Sequence, residues 1–144
     1  MFNANNPVSI FVPLLVIVIL TVIAFVRMAS ARMAAMKNGQ DPSFYRAHQG
    51  SPEPEAAAVA ARHYSNLMEL PTVYYTGCLA TFALGAVGFW SLVFAWGYAV
   101  ARVIQSLVHL TSNNGKQRGL SFTIGLAFVI ALWANVALVV FAKL

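Results

Sequence analysis

The sequence predicts an all-α integral membrane protein, a four-helix bundle, and three observations carry that prediction. Of its 144 residues, 60% are apolar and only 9% are charged, against about a quarter charged in an ordinary soluble domain. Long uncharged runs alternate with short basic segments, and the Lys and Arg residues gather in alternate connections, as an orientation signal does. The same composition excludes a cytosolic enzyme and a disordered tail. With Cys78 the single cysteine, it also excludes a disulfide scaffold and a Cys-rich metal site. A net charge of +5 spread in this way points to a lipid bilayer as partner and not to nucleic acid.

The first span is expected over 8–26, a charge-free run that at about 1.5 Å per residue just crosses a hydrocarbon core of about 30 Å. A secretory signal peptide is the rival reading, because Ala29-Ser30-Ala31 is a run of small residues. Against it, the segment ahead of the run has no Lys or Arg and the run is too long. Further spans are expected over about 65–87, 90–110 and 120–141, giving one transmembrane domain over 1–144. Pro71 falls inside the second span and should kink it, which a membrane helix tolerates. The link between the second and third spans, 85–90, is so short that the two form an antiparallel hairpin.

Arg27, Arg32, Lys37, Arg46 and Arg62 fall between the first two spans, and Lys116 and Arg118 between the last two; only Lys143 dissents. By the positive-inside rule both termini face the outside or lumen, in a multi-pass protein of a bacterial inner membrane or an organelle. The Ala- and Met-rich stretch 27–37 should extend the first helix until Asn38-Gly39-Gln40-Asp41-Pro42 stops it. Ser51-Pro52-Glu53 reads as an N-cap, a proline at the first helical position and an acidic first turn. Small residues recur at every fourth position as Gly77, Thr81, Gly85 and as Gly119, Thr123, Ala127, Ala131. Such stripes serve packing within the chain or a seam between copies.

The polar residues inside these runs carry the chemistry. Glu69 and Arg102 each cost about 2.5–3.5 kcal/mol to insert, and an ion pair that locks the bundle would explain both. Arg62, Asn66 and Glu69 follow i, i+4, i+7 spacing and so lie within about 60° on one helix face. A cation, an amide and a carboxylate in one stripe suit a small zwitterionic ligand, or else a polar seam between subunits. Gln105 and His109 extend a similar stripe from Arg102, while Arg32, Lys116, Gln117 and Arg118 stand in the cytoplasmic layer, where topology alone would also place them. His48, His63 and His109 lack a carboxylate at ligand spacing, so no metal is expected. There is no Gly-rich phosphate loop and no Gly-x-Ser-x-Gly elbow. Cys78 reads as a small packing residue, and Trp90 and Trp96 as part of an aromatic belt.

Two stretches resemble a known family. Arg62-His63-Tyr64-Ser65-Asn66-Leu67-Met68-Glu69, followed by Pro71, resembles the second-helix signature of the MAPEG family, the membrane-associated proteins of eicosanoid and glutathione metabolism. Ala101-Arg102-Val103-Ile104-Gln105-Ser106-Leu107-Val108-His109-Leu110 and Arg118-Gly119-Leu120-Ser121-Phe122 resemble its third-to-fourth-helix segment; Ser30-Ala31-Arg32 is a weaker match. The likeness implies a homotrimer holding glutathione, as co-substrate, between neighbouring subunits on the cytoplasmic side. By matched position it implies that Arg32, Arg62, Asn66, Glu69, Gln105 and His109 line that site and that Arg118 is the catalytic thiolate stabiliser. The expected activity is glutathione transfer to, or peroxidase action on, hydrophobic electrophiles. His109 and Phe122 stand where the eicosanoid enzymes have tyrosines, Gly119 where the prostaglandin enzyme has serine, and Gln105 where His or Tyr is usual. These departures speak against eicosanoid synthesis. They keep two alternatives in view: a non-enzymatic lipid-binding or scaffold protein of the same fold, and a small transporter subunit with Glu69 and Arg102 as a relay.

Overall fold

The computed structural model describes residues 6–47 and 49–144. His48 and the start of the uncharged N-terminal segment, 1–5, lie outside the described residues. All regular structure among the described residues is helical: a 3-10 turn over Pro7–Ile10, then α1 (Phe11–Lys37), α2 (Ser43–Ala47), α3 (Glu55–Ala83), α4 (Phe89–Leu110) and α5 (Gly115–Lys143). The chain forms two compact units: Leu20–Met68, and the described residues up to Ile19 together with Glu69–Leu144.

Local chemistry sets the helix ends. α1 runs on past the expected span and stops where Asn38-Gly39 said it would. Gly39 takes a left-handed φ of 92°, its N–H donates to the Met36 carbonyl, and the Gln40 N–H donates to that of Ala35, the paired bonds of a glycine-terminated helix. α3 ends the same way. With Gly85 at φ 64°, the Gly85 and Ala86 N–H groups donate to the Phe82 and Thr81 carbonyls, so the helix stops at Ala83 and not at 87. The start of α3 also differs from expectation. Ser51 and Pro52 are not its cap and first turn; helix begins at Glu55. The reason is Pro54, whose ring disfavours helical dihedrals in the preceding Glu53, while its carbonyl accepts the N–H groups of Ala57 and Ala58. α5 begins ahead of 120 because the Asn114 side chain accepts from the N–H groups of Lys116 and Gln117 at 3.0 and 3.3 Å. α3 continues through Pro71.

Three stretches are long and apolar enough to cross a membrane, Pro7–Lys37, Phe89–Leu110 and Gly115–Lys143. α3 is helical over the predicted second span but is not one of them, because Arg62, His63, Asn66 and Glu69 dilute its apolar half.

In the larger unit the core is built from Ile10, Ile17, Tyr74, Leu92, Tyr98 and Leu132, with Cys78 fully enclosed among them. The short link after Ala83 makes α3 and α4 neighbours: the Tyr74 hydroxyl donates to the Ala95 carbonyl at 3.2 Å, and the Tyr74 and Tyr98 rings lie 4.3 Å apart. Gly77 serves packing within the chain, since a Cβ there would stand 3.1 Å from Leu132 and from Trp133, whose indole N–H donates to the Val73 carbonyl. On α5, Gly119, Thr123 and Ala127 are exposed. Lys143, the residue that breaks the charge pattern, donates to the Leu84 carbonyl at 2.6 Å, a favourable place for a cation at a helix C-terminus.

The Phe128 ring of α5 packs onto Gly97 of α4, where an added Cβ would clash with it. Gly97→Ala is therefore expected to destabilise the protein by about 1–3 kcal/mol, read as a lower unfolding temperature in detergent micelles. An unchanged temperature would mean that the ring swings aside freely.

The smaller unit packs alanines where helices meet: Ala24, Ala35 and Ala57 are buried, as are His63 and Leu67, and the Phe25 and Tyr64 rings lie 5.6 Å apart. A cavity of about 330 Å³ is lined mainly by Ala31, Ala34, Ala35, Ala56 and Ala57. Asp41 starts α2: the Ser43 N–H donates to its carboxylate at 2.8 Å, and the hydrogen bonds from Ser43 hold that carboxyl below its usual range.

Candidate functional site

The stripe on α4 is a buried column. Tyr98, Arg102, Gln105 and His109 succeed one another at helical spacing and all are buried, Arg102 to 1% exposure. A guanidinium is charged at any physiological pH, so its surroundings must replace water. The Arg102 Nε donates to the Tyr98 hydroxyl at 2.9 Å and Nη1 donates to the Gln105 side-chain oxygen. The rings of Tyr98 and Phe122 lie 5.4 and 5.2 Å from the guanidinium carbon, within reach of cation–π attraction. Gly125 opposes the column from α5, where an added Cβ would come into ordinary contact with Tyr98 and Ala101. Phe122 thus has a use that its missing hydroxyl does not impair: it covers the cation. Tyr98 had a sequence signal, one turn before Arg102, that the reading of polar residues alone passed over.

Arg118 lies in the first turn of α5 and is half-buried. Asn113, in the left-handed conformation at φ 48°, accepts from Arg118 Nη1 at 2.8 Å. The Arg118 Nε is buried and makes no hydrogen bond among the described residues, a donor taken from water without an acceptor. Just beyond it, Leu120 and Ser121 enter a groove of about 380 Å³ between α4 and α5, whose other walls are chiefly Trp96, Ile104, Ile124 and Phe128. Glu69 is exposed, in contrast to Arg102. Its backbone carbonyl accepts from the Thr72 hydroxyl at 2.6 Å.

Of the other residues singled out in the sequence, Arg62 and Asn66 belong to the smaller unit. Arg62 is exposed and Asn66 half-buried, both within α3. Arg32 also lies there, and its partner is a residue that the sequence offered only as the acid of a helix start: the guanidinium pairs with Glu53, Nε to Oε2 at 3.2 Å and Nη2 to Oε1 at 3.5 Å. The Tyr45 ring lies 5.2 Å from the Arg32 guanidinium carbon. Burial, then the neighbouring Glu53 carboxylate, raises the pKa of Tyr45. No three His, Cys, Asp or Glu side chains gather to hold a metal among the described residues.

Helices of this length and apolarity, with arginines seated among them, define a multi-pass helical membrane protein. Residues 10–138 match the MAPEG family. The chain belongs to that family, and so to the membrane proteins of glutathione and eicosanoid metabolism. No match was found among the curated proteins or among the solved structures.

Proposed function

We propose that this protein is a glutathione-dependent transferase or peroxidase that acts on hydrophobic electrophiles, with Arg118 stabilising the glutathione thiolate. The observation that carries the reading is the Arg118 Nε, buried without an acceptor among the described residues, on the helix whose Leu120, Ser121 and Ile124 also line an apolar groove. A free thiol with a pKa near ~8.5 is only a few per cent ionised at neutral pH, and an adjacent guanidinium shifts that balance toward the nucleophilic thiolate. The groove, almost free of polar lining, is the place we assign to the apolar electrophile.

Arg32, Arg62, Asn66, Glu69, Gln105 and His109 are the proposed glutathione ligands, by their matched positions in the family motif. Arginines suit its carboxylates, Glu69 its ammonium, and Asn66 and Gln105 its peptide groups. α3 is proposed as the fourth span and a homotrimer as the working assembly. The decisive experiment adds glutathione to the purified protein at neutral pH and follows ultraviolet thiolate absorbance, then turnover of a chromogenic electrophile. Thiolate formation followed by turnover is expected; no binding at millimolar glutathione would reject the proposal.

A second reading, ligand binding without turnover, is favoured by the burial of Gln105 and His109 and by the ring of Phe122 being committed to Arg102. Glutathione binding with no turnover, unchanged by Arg118→Ala, would favour it.

A further inference from the structure

Arg32 is held from one edge only. Glu53 engages Nε and Nη2, the side of the guanidinium fork, and the Tyr45 ring lies over it. The carboxylate is well enclosed, its side chain 9% exposed, whereas the Arg32 side chain is 32% exposed. Among the described residues Nη1 takes no hydrogen-bond partner, and it is not a buried atom. A guanidinium has donors on two edges. Here one edge is spent inside the protein and the other is left for a planar, two-oxygen acceptor.

The three residues come from three elements: Arg32 from the last turns of α1, Tyr45 from α2, and Glu53 from the segment before α3. Without these contacts a long side chain samples many rotamers, and fixing it at the moment of binding costs affinity. What Tyr45 brings to the hold is its ring over the guanidinium.

Resting on the glutathione reading above, we propose that Glu53 and Tyr45 are positioning residues that clamp Arg32 so that its free edge receives one carboxylate of the tripeptide. Glu53→Gln keeps the size but removes the anion that orients the fork. It is expected to weaken glutathione binding about tenfold, a loss in the range measured for one hydrogen bond to a charged group. The loss falls on binding and KM, while kcat at saturating glutathione and the pH at which the bound thiol ionises stay unchanged.

The test compares three probes on the full-length protein in nanodiscs: glutathione, its glycyl ethyl ester, and cysteinylglycine, which lacks the glutamyl carboxylate. With Glu53→Gln, glutathione and one of the two analogues lose affinity. The analogue already missing the carboxylate that Arg32 receives loses none. Tyr45→Leu reproduces this pattern, so the idea stays exposed even if Glu53→Gln folds poorly. Equal losses for all three probes, or tighter glutathione binding in Glu53→Gln, would overturn the clamp and leave glutathione binding intact. If the unaltered protein binds no glutathione, the proposed function falls and the clamp with it.

Discussion

Arg118→Ala is expected to abolish thiolate absorbance at neutral pH and to lower turnover of a hydrophobic electrophile by about 100-fold or more, the scale seen when one donor to a developing anion is removed. In the proposed mechanism the guanidinium does two things for the sulfur. It supplies positive charge, and it supplies a buried N–H, Nε, that has no acceptor among the described residues. Without it the thiol reverts toward its free pKa near ~8.5, so part of the lost rate should return as the pH is raised through that value. Arg118→Lys should recover charge but not the fixed fork, and so only part of the rate. Glutathione affinity falls much less than turnover, because the tripeptide keeps its other contacts. Stopped-flow absorbance on unaltered and variant protein reads both quantities. A variant that still ionises bound glutathione at neutral pH would remove Arg118 from the chemistry.

The second large effect is on stability. Arg102→Ala should cost about 3–5 kcal/mol, seen as an earlier thermal transition in detergent. The change leaves a void where the largest fully buried side chain stood, and it orphans the Tyr98 hydroxyl and the Gln105 amide. Arg102→Met is the informative companion. A flexible thioether refills most of the volume against the Tyr98 and Phe122 rings, and a desolvated charge disappears with the arginine, so its cost should be well under that of alanine. Equal melting of Arg102→Ala and the parent would show that the buried cation contributes nothing net.

The sequence was most legible where one run of residues decides the outcome. The third span was off by a single residue, because Gly88 and Thr111 cap the helix on either side of it, and the stop of α1 could be read from Asn38-Gly39. Errors arose where a second local rule competed. Pro52 looked like a helix start until Pro54 is given its effect on Glu53, and Asn114 was passed over as a cap because hydropathy, which begins later, was used to place the helix. Contacts that join distant segments were not legible at all. Nothing in spacing links Arg32 to Glu53, because an irregular connection lies between them and helical periodicity does not survive it. The Arg62, Asn66, Glu69 stripe was legible because it needs only helix, whereas the Phe122 ring over Arg102 needs two helices to be docked.

Arg102 also bears on how the chain can be made. Tyr98 and Gln105, which accept from it, sit one turn to either side on the same helix, so α4 brings acceptors for its own cation before α5 is made. The Phe122 ring arrives only with α5. That helix need not wait for the next one to find partners for its cation.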